Sequence, residues 1–108
     1  MANDPEEMSI EPSHPGEIIR EVILPELGIT IKDLALHLGV SRVALSEVVN
    51  ERRSVSLEMA QRLAKAFGNS ARFWLSLQMQ HDLWHADRSA HAKWLVVKPL
   101  KWKARRAA

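Results

Sequence analysis

Apolar residues recur at helical spacing along most of this chain, in short runs separated by serine, threonine, glycine or proline. Between Ile31 and Asn50, Leu34, Leu38, Val40, Leu45 and Val48 fall on inward faces, and the run divides at Gly39. Thr30 can cap a helix that begins at Ile31, with Asp33 as the acid of a capping box and Ile29 stapled to Leu34. Ser41 can cap a second helix, with Val40 and Leu45 at the matching staple positions. Ala35 is small where the two helices would cross, and Gly39 occupies the turn, where a left-handed backbone is needed. The second helix then presents Ser41, Arg42, Val43, Ser46, Glu47 and Asn50 outward. This layout predicts a helix-turn-helix, whose second helix lies in the major groove of DNA.

The flanking pattern predicts three more helices. His14-Pro15-Gly16-Glu17 reads as a helix start, with proline in the first turn and Glu17 at the positive end of the dipole. Ile18 with Val22 and Ile19 with Ile23 form its apolar stripe, and Pro25 is expected to end it. Ser56 caps a fourth helix carrying Leu57, Ala60, Leu63, Ala64 and Phe67 on one face, stopped by Gly68. Ser70 caps a fifth helix that runs to about Ala86 through Phe73, Trp74, Leu77, Leu83 and Trp84. That helix is apolar over more of its circumference than one small core requires, which points to a dimer face. The segment from Ala92 to Lys98 leans towards β structure and Pro99 ends it; a short strand there would need a twin or a core edge to pair with. The organisation expected is therefore a disordered acidic arm over 1–12, an all-α five-helix domain over 13–87, and a C-terminal extension over 88–108. That extension holds the short strand and a basic tail.

Composition narrows the class. With 108 residues the chain has room for one modest core, and with no cysteine it can form neither a disulfide framework nor a thiolate metal site. The acidic start lacks the basic and apolar regions of a signal peptide, and no run reaches membrane-spanning length, so a soluble cytoplasmic protein is expected, without membrane contact. Net charge is only +2, but residues 1–27 carry seven acids against one base, while residues 88–108 carry seven bases and no acid. Such asymmetry suits an anionic partner at one end and a cationic one at the other. Two solvated tails would look the same.

Rival chemistry is sparse. His81-Asp82-Leu83-Trp84-His85 nearly spells a zinc-protease motif, but that chemistry wants glutamate as base and a third ligand. Asp82 is one methylene short, and His91 lies past the expected helix end. No serine–histidine–acid grouping or phosphate-cradling glycine loop is visible. The reading is a non-enzyme without cofactor or metal. Trp94 and Trp102 among lysines can stack on single-stranded nucleic acid or sit at a membrane surface, though Trp94 fits a dimer contact better.

With these elements placed, the chain resembles a known family. His14-Pro15-Gly16-Glu17, Met59-Ala60, the run Arg62-Leu63-Ala64-Lys65-Ala66-Phe67-Gly68, Phe73-Trp74-Leu75 and Leu77-Gln78 are similar to HigA-type (VapI-like) antitoxins, a branch of the phage-repressor-like (XRE) helix-turn-helix proteins. The resemblance covers about Pro12 to Ala86. It implies an all-helical homodimer that represses its own operon at a palindromic operator. It also implies a small basic toxin partner, of the RelE-like mRNA endonuclease class, encoded beside it. Some members of the family act as stand-alone regulators. Val43 and Ala44 depart from the usual pattern, in which proline or glutamine is followed by threonine.

The DNA-binding residues expected are Lys32, Ser41, Arg42, Val43, Ser46, Glu47, Asn50, Arg52 and Arg53. The Arg42 fork suits guanine O6 and N7, and the Val43 methyls suit a thymine methyl. Ser46 can reach a base edge or phosphate. Glu47 can accept from cytosine N4 or repel phosphate. Lys32, Ser41, Asn50, Arg52 and Arg53 are placed for backbone phosphates. A two-fold dimer would set two such helices about 34 Å apart, one turn of DNA.

Overall fold

The computed structural model describes residues 10–102, and everything regular in them is helical. The order is α1 (Pro15–Ile18), a π turn (Ile19–Ile23), α2 (Leu24–Leu27), α3 (Ile31–Leu38), α4 (Arg42–Val49), α5 (Leu57–Phe67), α6 (Ala71–Asp87) and a 3-10 turn (Lys93–Val96). The tail beyond Trp102 and the arm before Ile10 lie outside the described residues. No helix among the described residues is long and apolar enough to cross a membrane.

The expected end of the first helix at Pro25 is corrected. Leu24 keeps right-handed helical angles (φ −62°, ψ −44°) and its N–H reaches back to the Ile19 carbonyl, a π-type bond. Proline in an α-helix clashes with the carbonyl four residues back and leaves it without a donor. Widening the preceding turn avoids that clash, so α1, the π turn and α2 form one rod that continues through Pro25 to Leu27.

The caps read from the sequence are all made. Thr30 Oγ1 accepts from the Asp33 N–H at 3.1 Å, and Asp33 Oδ2 accepts from the Thr30 N–H at 3.2 Å, the reciprocal pair of a capping box. The Thr30 N–H, and after it the Thr30 hydroxyl, hold the Asp33 carboxyl below its ordinary pKa. Ser41, Ser56 and Ser70 cap α4, α5 and α6 through the N–H groups of Ala44, Met59 and Phe73. Gly39 is left-handed (φ 74°), and the N–H groups of Gly39 and Val40 return to the Leu36 and Ala35 carbonyls in a Schellman closure.

The core gathers Ile19, Leu34, Ala35, Leu38, Leu45, Val48, Val49, Val55, Met59, Ala60, Leu63 and Trp74. Two expectations about it need correction. Leu57, the first residue of α5, stands 61% exposed, and Met59 two positions on is buried instead. The segment read as a short strand forms the 3-10 turn at Lys93–Val96, and the described residues after it carry no regular structure. Strand geometry requires a neighbour to satisfy its N–H and C=O groups, and the all-helical domain offers none among its described residues.

Candidate nucleic-acid interface

The outer face of α4 is built from its own sequence period, from two contacts made to its back and from a third made to the turn that leads into it. The first is Gly16. A Cβ at that position would lie 1.9 Å from the Val48 carbonyl oxygen and 2.9 Å from its carbon, so only a bare backbone lets α1 pack this closely on α4. His14 prepares the approach. Its Nδ1 accepts the Gly16 N–H at 2.8 Å as the N-cap of α1, with Pro15 next to it. Burial, reinforced by the neighbouring His81, pushes the His14 pKa below its ordinary value, although Glu51 and Asp82 pull the other way.

The second contact is Arg20, whose Nη1 donates to the Val49 carbonyl at 2.7 Å while Nη2 pairs with Glu51 at 3.0 Å. It thereby closes the C-terminus of α4, where cationic charge complements the helix dipole. The bonds to Glu21 and Glu51 raise the Arg20 pKa above its ordinary value. Glu51 sits just beyond α4 with φ 63°, the one non-glycine in the left-handed region among the described residues. The N–H groups of Glu51 and Arg52 return to the Val48 and Glu47 carbonyls, so α4 ends in a Schellman closure with glutamate where glycine is usual.

The third contact is Arg62 on α5, which donates to the Leu38 carbonyl at 2.7 Å and is steadied by Glu58 at 2.9 Å. It locks the turn between α3 and α4 from behind. None of these three anchors was read from the sequence. Each joins residues 24 or more positions apart, or depends on a missing side chain, and hydrophobic period registers neither. The unusual Pro-Gly at a helix start was the one available signal.

Arg42, Val43, Ser46, Glu47 and Arg52 line one open depression on the outer side of α4. Val43 is 66% exposed although it is a large aliphatic residue, so it contributes to a surface rather than to the core. Lys32 is exposed near the start of α3. Ser41 is also exposed, with its hydroxyl engaged in the cap. Asn50 Nδ2 donates to the Ser46 carbonyl and hydroxyl at 2.9 and 3.2 Å, tying those two residues together. Arg53 Nη2 pairs with Glu47 Oε1 at 2.6 Å, so Glu47 steadies a cation at the edge of the depression. The arrangement can accept an anionic, grooved polymer: guanidinium groups, hydroxyls and an exposed apolar side chain lie along one straight rod, with its capped N-terminus at one end.

The helix-turn-helix family profile matches residues 19–74, more than half of the chain. The chain belongs to the XRE-like helix-turn-helix family. Within this family it is 42% identical over 82 residues to an HTH-type transcriptional regulator of Haemophilus influenzae, covering 76% of this chain and 77% of that one. It is 36% identical over 85 residues to the antitoxin HigA-1 of Vibrio cholerae, covering 79% and 80%. Among solved structures, the Pseudomonas aeruginosa antitoxin HigA with the higBA promoter superposes with a TM-score of 0.71 at 38% identity, covering 84% of this chain and 100% of that one. The resemblance stated from the sequence, and the all-helical fold it implied, are both upheld.

Proposed function

We propose that this protein is a sequence-specific DNA-binding repressor and the antitoxin of a two-component toxin–antitoxin module, controlling its own operon. The observation that carries this reading is the outward helix α4, fixed from behind by Gly16, Arg20 and Arg62 and lined by Arg42, Val43, Ser46, Glu47 and Arg52. The similarity to an antitoxin bound to promoter DNA supports it. In this reading Arg42 and Val43 enter the major groove and read base edges, with Ser46 beside them. Lys32, Ser41, Arg52 and Arg53 engage phosphates, while Asn50 holds Ser46 in place. Glu47 orients Arg53 and disfavours misplaced phosphate.

A homodimer on a palindromic operator follows from the small footprint of one α4. The apolar surplus of α6 supports a face for it, where Leu57, Ala71, Leu75 and Met79 border one depression. The toxin would be a small basic protein of the RelE-like mRNA endonuclease class. The acidic first rod, with Glu21 and Glu26 exposed, is the dock we assign to it. In this reading the protein works in the cytoplasm, on the nucleoid when bound to its operator.

Footprinting on the promoter of its own operon, combined with co-purification of the product of a neighbouring small gene, tests both halves. Two protected half-sites related by a dyad and a co-purifying basic protein are expected. Protection without any partner would favour the stand-alone regulator, the reading that fits the description of the Haemophilus influenzae relative. Absence of protection would refute the repressor.

A further inference from the structure

The near-motif His81-Asp82-Leu83-Trp84-His85 acquires in the fold what its sequence lacks. His81 and His85 stand one turn apart on α6, with ring centroids 4.4 Å apart. The segment leading into α1 lays Glu11 across them. Glu11 Oε2 is 2.7 Å from His85 Nε2 and 3.9 Å from His81 Nε2. One donor atom from each of the three residues lies within 4.8 Å of the others. Tetrahedral zinc with bonds of about 2.0–2.1 Å places its donors roughly 3.3 Å apart, inside the spread seen here.

The histidine that must be oriented is oriented. Asp82 Oδ1 lies 3.3 Å from His81 Nδ1; in the tautomer that donates from Nδ1 to this carboxylate, the neutral ring has its Nε2 lone pair available to a metal. Asp82 is held in turn by Gln78 Nε2 at 3.0 Å, and Gln78, only 5% exposed, accepts the Val55 N–H at 2.8 Å through Oε1. A hydrogen-bonded chain thus runs from the core to the ring of His81. His14, whose ring meets His81 edge-on at 5.0 Å, is not a fourth ligand: its Nδ1 is spent on Gly16, which puts its proton on Nε2.

We propose that Glu11, His81 and His85 form a site for a divalent transition cation, with Zn2+ the cation that two imidazoles and one carboxylate suit best, and with water as fourth ligand. Binding replaces the proton between Glu11 and His85 with the metal and clamps the segment before α1 onto α6. The consequence is structural: a cross-link between residues 74 positions apart, which stabilises the folded chain by as much as the cation prefers it to the unfolded one.

The test is titration of the tag-free full chain with ZnCl2 by calorimetry, with thermal unfolding followed at each metal concentration. One Zn2+ per chain and a rise in Tm are expected. Glu11→Gln and His85→Ala should each weaken binding at least about tenfold and remove the Tm rise. Asp82→Ala, which removes the acceptor altogether, should weaken it about tenfold by releasing the His81 ring. His91→Ala should change nothing. Glu11 and His85 are about half exposed, so these variants are expected to fold, and circular dichroism checks that they do. No uptake at one equivalent, or uptake that persists unchanged in Glu11→Gln and His85→Ala, would overturn the proposal.

Discussion

Replacing Gly16 with alanine separates two physical effects that carry opposite signs. Helix propensity alone would make Gly16→Ala stabilising by about 0.5–1 kcal/mol, since glycine loses the most backbone freedom on folding. The structure demands the reverse. The new Cβ would sit 1.9 Å from the Val48 carbonyl oxygen, well over 1 Å inside ordinary contact, and the obstacle is backbone, with no side chain to swing aside. Either α1 lifts from α4 or α4 shifts outward. Overpacking against yielding side chains costs about 1–3 kcal/mol, and an unyielding carbonyl belongs at the top of that range. Setting about 3 kcal/mol against at most about 1 leaves a net loss of about 2 kcal/mol. Urea denaturation followed by circular dichroism reads it directly. Operator affinity of the folded variant should also fall, because Val48 moves with the helix that carries Arg42. Unchanged or increased stability would refute the claim that this contact sets the position of α4.

Three other perturbations probe the same frame. Arg62→Met keeps the aliphatic stem but removes the donor to the Leu38 carbonyl, and should cost about 1–2 kcal/mol in denaturation. At position 51, Glu51→Gly should be more stable than Glu51→Ala by about 1 kcal/mol, because both lose the Arg20 pair but only alanine keeps the left-handed strain. For His14 the folded state favours the neutral ring, so its contribution is fully present above the ordinary imidazole value near 6.5 and is lost as pH falls through the lowered folded value. Denaturation at pH 8 and pH 5.5 should show a larger acid-side loss in the native chain than in His14→Asn, which keeps an N-cap acceptor but does not titrate.

What could be read in advance was local. Thr30, Ser41, Ser56 and Ser70 announce helix starts through the side chain of a single residue, and each cap forms as expected. Leu34, Leu38, Leu45 and Val48 announce the core through period alone. What could not be read depends on the third dimension. Pro25 looks like a terminator until a π turn absorbs it, and Leu57 has the right spacing but stands exposed at the start of α5. The 92–98 segment has strand-forming residues and no partner in the described fold. The candidate DNA face was legible as a set, because exposed polar positions on α4 fall out of the same period as the buried ones. Its internal couplings, Glu47 with Arg53 and Asn50 with Ser46, were not, since helical period shows which residues face outward and not which of them pair. Arg20 and Arg62 escaped for a related reason: a side chain that bonds a distant carbonyl leaves no periodic trace, and neither does the missing side chain of Gly16.

The central claim is that α4 reads DNA, and an operator titration tests it most directly. Fluorescence anisotropy with a labelled fragment of the protein's own promoter, run across salt concentrations for the native chain and for Arg42→Ala, is the measurement. The account predicts affinity that falls with salt at a log–log slope of about −0.9 per phosphate engaged. It further predicts a loss of roughly 1–3 kcal/mol in Arg42→Ala, with relaxed preference at one base position in each half-site. Binding indifferent to salt, or an Arg42→Ala protein that grips the fragment as tightly and as selectively as the native one, would contradict it.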